Sequence, residues 1–304
     1  MNARSTLNSS AVSDMPSLSD RAAYVDALRR DVAGFERLTV HLKRLTGIHL
    51  PTNDKNKSLM AARLSKVLKE HELPNYGAFA VLLSQGCTDL AAEFIEALTT
   101  NTTQFFREAT HFELLSKLLP GMIKEHLAKG KVEFRMWCAA ASTGQEPYTM
   151  LMTLLEAVPA LLPGAIKFLA SDIDRTVLAR AASGTYSQAE IEGVPAPLRQ
   201  KYFTQRVVGN NGRAHQLNLA QRRIITFAPL NLTVKPYPFQ HSFDVIFCRN
   251  VLIYFEKNMA VEVTARLMKA LAPGGYLFLG HSESGLIKGD GFKSIASAVY
   301  RKDP

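Results

Sequence analysis

Glu146 is the first residue whose type and position suggest chemistry. It follows Gly144 by two positions in residues 132–152 (VEFRMWCAAASTGQEPYTMLM), a β-branched and aromatic run that breaks into small residues and restarts as an apolar helix. The pattern predicts a strand, a tight turn and a helix, with Ser142 or Thr143 as the helix cap and Pro147 in its first turn. Such a turn lies at the carboxyl end of a strand, where open α/β sheets bind ligands. A dinucleotide site needs several glycines so that the backbone can approach a pyrophosphate, but this turn has only Gly144. A carboxylate at Glu146 would repel a pyrophosphate. It suits a ligand with a cationic end and no phosphate, of which S-adenosylmethionine, with its ammonium, sulfonium and adenosine, is the common one. The same carboxylate would equally well complement the helix dipole, worth under about 1 kcal/mol.

Further candidates fall at other strand ends. Asp172 closes a second apolar run, 28 positions past Gly144, where an acid accepts the hydroxyls of a ribose, and Asp174 is its competitor. Asn231 and Leu232 follow a third run, placed to meet an adenine. Arg249, Asn250 and Tyr254 follow a fourth, at the crevice where a substrate would meet the ligand. Residues 99–108 (TTNTTQFFRE) are too polar for a helix interior. They read as a loop leading into a helix through His126, with Phe105 and Phe106 buried; a plain capping loop fits equally well. Isolated Asp and Asn after strands are ordinary turn residues, but a ring of polar groups at consecutive strand ends points to a site.

The elements that must position these residues alternate. Strands are expected at residues 132–138, 166–171, 223–227, 243–248, 276–280 and 298–302, and helices at 175–182 and 257–271, with a turn at Pro273, Gly274 and Gly275. That is an α/β doubly wound sheet with a terminal antiparallel hairpin. Residues 202–217 alternate around the Asn-Gly of residues 209–212, which predicts an inserted β-hairpin within residues 184–221. Residues 1–20 read as a disordered tail. Residues 21–115 read as a small helical domain and linker, with Phe35, Leu38, Val40 and Leu42 in a helical pattern leading into a turn at Gly47, and residues 116–304 as the α/β domain.

A chain of 304 residues fits one large or two medium domains, and 47% hydrophobic content with a mean hydropathy of −0.03 fits a soluble globular protein. No run of about eighteen apolar residues and no signal sequence is present, so the expected compartment is the cytoplasm. Cys87, Cys138 and Cys248 are odd in number and widely spaced, which argues against a disulfide framework; the latter two read as buried thiols. No His and Cys cluster has zinc spacing, so no metal is expected. The net charge of +9 implies an acidic partner. From Phe35 to Glu70, eight Lys or Arg stand against three Asp or Glu. On the helix expected from Lys55 to Glu70, the residues Leu59, Met60, Leu64, Val67 and Leu68 share one arc, and Lys55, Arg63, Lys66 and Lys69 the opposite one. The basic arc is either a solvated face or a docking surface.

Residues 99–108 (TTNTTQFFRE), 137–148 (WCAAASTGQEPY), 170–174 (ASDID), 243–255 (FDVIFCRNVLIYF) and 271–284 (LAPGGYLFLGHSES) together resemble the chemotaxis receptor methyltransferases, the CheR family. The resemblance covers nearly all of residues 35–300. It implies a helical amino-terminal domain, a class I methyltransferase domain with an inserted β-hairpin subdomain, and S-adenosylmethionine as cofactor, with S-adenosylhomocysteine as product. Carried over by position, it implies that Asn101, Thr103, Arg107, Glu146, Asp172, Asn231, Leu232, Arg249 and Asn250 line the cofactor site. Arg107 and Tyr254 would act on the acceptor.

The implied reaction is methyl esterification of glutamates on the cytoplasmic methylation helices of chemoreceptors, with Lys55, Arg63, Lys66 and Lys69 docking those acidic helices. A receptor tail peptide at the β-hairpin, a monomeric state, and no nucleic-acid partner or membrane insertion complete the expectation. A glutamate nucleophile with a pKa near about 4.3 needs no general base at neutral pH, and His281, the nearest candidate, reads as a turn residue. A nucleic-acid methyltransferase would want a base-flipping pocket, and residues 249–251 carry no motif for one. A sensor of S-adenosylmethionine without catalysis would need neither Arg107 nor Tyr254.

Overall fold

The computed structural model describes residues 18–208, 212–287 and 290–304. Six helices come first: α1 (Leu18–Arg30), α2 (Val32–Thr46), α3 (Asp54–Glu70), α4 (Tyr76–Ser84), α5 (Thr88–Leu98) and α6 (Ala109–Ala128). There follow β1 (Phe134–Ala139), α7 (Gln145–Ala157), β2 (Ile166–Asp172), α8 (Arg175–Ser183), β3 (Thr185–Ser187), α9 (Ala196–Tyr202), β4 (Phe203–Val208) and β5 (Gly212–Leu217). The chain closes with α10 (Leu219–Arg222), β6 (Ile225–Pro229), β7 (Phe243–Cys248), α11 (Lys257–Ala270), β8 (Leu271–Leu279), β9 (Phe292–Ala296) and β10 (Val299–Lys302).

Local chemistry sets the helical part. Asp31 caps α2 by accepting the Gly34 amide at 2.8 Å, and Asn53 caps α3 by accepting the Asn56 amide at 2.8 Å. Phe35, Leu38, Leu42, Met60, Leu64, Leu68, Phe79 and Phe94 form one buried core. Val40 is 66% exposed. It lies two residues from both Leu38 and Leu42, and residues so spaced on a helix point to different faces.

The large sheet has the order β6-β2-β1-β7-β8-β10-β9. β1 pairs in parallel with both β2 and β7, and β10 closes the sheet antiparallel to β8 and β9. All six residues of β7 are buried, as a strand covered on both faces requires. From β1 the chain runs outward through β2 to β6 and then returns to β7 on the other side of β1. The topological switch point therefore lies between the carboxyl ends of β1 and β7.

Several expectations need correction. β8 runs straight through the expected Pro-Gly-Gly turn, and β9, mostly exposed, was not expected at all. The inserted element is a three-stranded sheet of order β3-β5-β4 in place of a two-stranded hairpin. α1 begins at Leu18, inside the expected tail; residues 1–17 and the hairpin tip at residues 209–211 lie outside the described residues. Neither Ser142 nor Thr143 caps α7. Its N-cap is Gly144 at φ +95°, and a Cβ there would come within 2.7 Å of the Tyr186 hydroxyl and 2.9 Å of Ala181 Cβ.

Candidate cofactor and methyl-transfer site

A cavity of about 340 Å³ opens at the carboxyl ends of β1, β2, β6 and β7, within the roughly 300–1,000 Å³ usual for small-molecule sites. Its floor is the strand ends, and its roof is the helical domain through the segment after α2, one face of α3 and the polar loop at residues 99–103. Asn101, Thr103, Arg107, Glu146, Asp172, Asn231, Leu232, Arg249, Asn250 and Tyr254 all line it. Ten residues from five separate stretches of chain thus meet around one cavity.

Asp172 and Asp174 divide their work. The Asp172 carboxylate accepts the backbone amides of Ser142 at 2.8 Å and Asp174 at 3.0 Å, which locks it across the end of β1 while it still borders the cavity. Burial raises its pKa, and the amides pull it back only in part. Asp174 instead caps α8, taking the amides of Thr176 and Val177 on one oxygen and the Thr99 hydroxyl and Asn101 amide on the other. The Ser142 hydroxyl donates to the Asn101 carbonyl at 3.0 Å. The threonine-rich loop is thereby fastened to both strand ends, and the Nδ2 of Asn101 is engaged within the protein.

Glu146 and Arg249, expected separately, are found as partners. The Arg249 guanidinium has no exposed side-chain surface and lies 2.9 Å from Glu146 Oε2 and 3.0 Å from Glu108 Oε2. It also donates to the Arg107 carbonyl at 2.6 Å and lies over the ring of Phe112 at 5.4 Å. The Cys138 thiol donates to Glu146 Oε1 at 3.3 Å, so this cysteine is a buried structural donor. Burial raises the pKa of Glu146, with Arg249 opposing. Glu108 is less enclosed: burial alone would raise its pKa, but the charge and hydrogen bond of Arg249 hold it below the ordinary value. Arg107 itself donates to the Thr102 carbonyl at 3.0 Å and is half-buried at the cavity edge.

Two residues that organise the site carried no assignment from the sequence. Glu108 also accepts from Asn250 Nδ2 at 3.2 Å. Glu283, 2% exposed, accepts five backbone amides: those of Val251, Leu252 and Ile253 on Oε1 at 2.9, 2.7 and 3.3 Å, and those of Asn250 and Gly280 on Oε2 at 2.9 and 2.7 Å. One carboxylate therefore holds the whole turn that carries Arg249, Asn250 and Tyr254, with Asn250 at φ +57°. A Cβ on Gly280 would fall 2.8 Å from Glu283 Oε2, so glycine is needed there. The available signal was an acid within the small, polar residues that follow β8, where a charge has no solvent-facing helix to explain it.

Asn231 and Leu232 both border the cavity, but the Asn231 side chain is engaged with the helical domain. Asn231 Nδ2 donates to the Leu45 carbonyl of α2 at 2.7 Å and its Oδ1 accepts from Thr233, so the side chain joins the two halves of the molecule. The Leu232 carbonyl accepts from Tyr237 and Arg266, and the residue is buried at the cavity wall. The basic arc of α3 also divides. Arg63 is half-buried and donates to the carbonyls of Leu98 and Thr99 at 3.3 and 2.9 Å, satisfying the end of α5. Lys69 lies over the Tyr24 ring and Lys66 sits 3.6 Å from Glu70. Lys55 and Lys66 are exposed, so the one-sided free cationic face expected of four residues is narrower than that.

Comparison with known proteins gives consistent matches. Residues 101–300 match the family described as CheR methyltransferase, SAM binding domain, and residues 33–99 match CheR methyltransferase, all-alpha domain. The chain is 36% identical over 266 residues to Chemotaxis protein methyltransferase 2 of Pseudomonas aeruginosa, covering 88% of this chain and 91% of that protein. It is 39% identical over 254 residues to the Chemotaxis protein methyltransferase of Escherichia coli, covering 83% and 84%. With the Salmonella typhimurium protein of the same name it shares 36% identity over 282 residues, covering 92% and 91%.

Proposed function

The chain belongs to the CheR methyltransferase family, and from that premise we propose that it esterifies glutamate side chains of chemoreceptors with the methyl group of S-adenosylmethionine. The observation that carries this reading is the composition of the cavity. It has buried carboxylates at two strand ends, no glycine-rich phosphate cradle, and Arg107 and Tyr254 on its lining. The residues suit the cofactor: Asp172 is pinned by two amides with its carboxylate bordering the cavity, as a ribose acceptor must be. Glu146 would face the ammonium end, and Leu232 would pack on the adenine. S-adenosylmethionine, when bound, supplies a methyl group made electrophilic by its sulfonium.

The remaining work belongs to the chain. A glutamate acceptor is ionised at neutral pH, so no residue need remove a proton. Arg107 keeps guanidinium donors beyond the one given to Thr102 and would hold the incoming carboxylate, with Tyr254 aligning it. The helical roof excludes water, which strengthens attraction between an anionic acceptor and the cationic centre. The exposed Lys55 and Lys66 are proposed to steer acidic receptor helices by long-range attraction, and the β3–β5 sheet to receive a receptor tail peptide. A monomer in the cytoplasm completes the proposal. No helix among the described residues is long and apolar enough to cross a membrane.

Transfer of tritiated methyl from S-adenosylmethionine to chemoreceptor-containing membranes, followed by mild base, tests it. Volatile methanol released from the receptor band is the expected result. Base-stable label, or label in nucleic acid, would overturn the ester assignment.

A further inference from the structure

The fold assembles a cluster that the spacing of the sequence does not display. Glu108, His111 and His281 bring a carboxylate oxygen and two ring nitrogens within 4.8 Å of one another. Glu108 precedes α6 in the left-handed region at φ +56°, which turns its carboxylate toward the first turn of the helix. There His111 Nδ1 lies 3.6 Å from Glu108 Oε2. His281 arrives from the residues just after β8, its Nδ1 3.8 Å from the same oxygen, and the two imidazoles meet edge to face at 4.7 Å.

His111 is 3% exposed. Its Nε2 lies 3.2 Å from the Ser297 carbonyl, a hydrogen bond that needs the proton on Nε2 and so leaves the lone pair on Nδ1. That Nδ1 is buried and has no hydrogen-bond partner among the described residues, and it faces Glu108 Oε2, whose own partner is the Arg249 guanidinium at 3.0 Å. An unpaired imidazole lone pair facing a carboxylate out of water is costly, and a cation bound between them relieves it. A carbonyl on the far nitrogen is also how proteins orient a metal-binding imidazole.

We propose that Glu108, His111 and His281 form a binding site for a divalent transition-metal ion of the zinc class, beside Arg249 and outside the cofactor cavity. Two imidazoles and a carboxylate are a zinc donor set, with the fourth position left to water. Zinc bonds of about 2.0–2.2 Å set ligand atoms roughly 3.2–3.6 Å apart. The separations of 3.6 and 3.8 Å from Glu108 need only slight closing. His281, whose side chain is 47% exposed, can supply that movement and the entry path. Arg249 opposes a cation, yet when Glu108 turns to the metal the guanidinium retains Glu146 at 2.9 Å and the Arg107 carbonyl at 2.6 Å. Occupancy draws Glu108 away from Arg249 and Asn250, both of which line the cavity. The ion therefore acts as an inhibitor of methyl transfer.

The test uses the full chain with the exposed Cys87 replaced, Cys87→Ser, so that its thiol does not compete. Cobalt(II) titration followed by visible absorption reports a tetrahedral site, and zinc competition against a chromophoric chelator gives the affinity. One equivalent is expected to bind, and His281→Ala to weaken binding at least about tenfold. Zinc should slow methyl transfer in the parent and much less in His281→Ala, with Trp137 fluorescence confirming that the variant is folded. Equal affinity in the parent and His281→Ala overturns the proposal, as does zinc binding weaker than about millimolar.

Discussion

Replacing Glu283 by Gln removes the charge at the centre of the turn after β7 while keeping the side chain's shape. The carboxylate serves three amides on Oε1 and two on Oε2. A carboxamide has one acceptor oxygen, so in its better orientation it keeps the three and sets its NH2 group against the amides of Asn250 and Gly280. Each buried amide left without an acceptor costs about 1–3 kcal/mol, so the loss is on the order of 2–6 kcal/mol. Against a total stability of about 5–15 kcal/mol that is severe. The single tryptophan, Trp137, is fully buried in β1, so its fluorescence in urea follows the α/β domain. The expected outcome is a lower urea midpoint with an unchanged slope. Turnover should also fall in the folded fraction, because Arg249, Asn250 and Tyr254 ride on the released turn. A Glu283→Gln protein within about 0.5 kcal/mol of the parent, with normal turnover, would show that other contacts hold the turn and refute the reasoning.

Asp172→Ala should weaken S-adenosylmethionine binding by about 1–3 kcal/mol through loss of charged hydrogen bonds, measured by calorimetry; unchanged affinity would move the ribose elsewhere. Arg107→Ala should reduce turnover at saturating cofactor well beyond its effect on cofactor affinity, and full recovery of rate at saturation would reduce it to a binding residue. Arg63→Ala should lower both stability and cofactor affinity, since it frees the Leu98 and Thr99 carbonyls at the cavity edge, whereas Lys66→Glu should raise only the acceptor Michaelis constant and its salt dependence should flatten. Equal effects of these two changes would contradict the division of the arc. Burial raises the pKa of Glu146, so its negative charge is lost on acidification at a higher pH than for an ordinary carboxylate. Cofactor affinity should therefore begin to fall above the usual carboxylate range, and Glu146→Gln should weaken that dependence, leaving the part due to Asp172, whose pKa burial also raises.

The sheet was readable in the sequence because parallel strands covered on both faces leave nearly unbroken apolar runs, as in β7, and the polar residue that ends each run marks the ligand side. Weakly patterned elements were not readable: β3 has three residues and β9 is mostly exposed. At the site, residue types were legible but partners were not. Glu146 and Arg249 are 103 positions apart, and no periodicity reports that the two will neutralise each other. Arg63 fell on the polar arc by helical projection, but projection cannot see that the last carbonyls of α5, 35 and 36 positions away, lie against that arc. The sequence leaves Asp172 and Asp174 as alternatives because the choice depends on which one the α8 amides capture.

The roof of the cavity is fixed by main-chain geometry more than by side-chain affinity. After α2 the chain turns at Gly47, φ +80°, where a Cβ would come within 2.5 Å of Thr233 Cγ2. It then pairs with the stretch after β7: the His49 amide donates to the Tyr254 carbonyl at 2.8 Å, and Ile48 bridges Phe255. Asn231 reaches back to Leu45, and Lys43 meets Glu256 at 2.7 Å. The exposed Lys43–Glu256 pair adds little in water. The buried and half-buried backbone links matter more, because each leaves an unsatisfied group if the helical domain lifts away. Tyr254 therefore has its main chain tied to the helical domain and its turn tied to Glu283, while its side chain borders the cavity. A ligand that enters must either pass the roof edge or part these links. The small helical domain is in that sense a wall of the site, which explains why Leu59 and Asn56 of α3 line a cavity whose floor is a sheet that begins more than one hundred residues after α1.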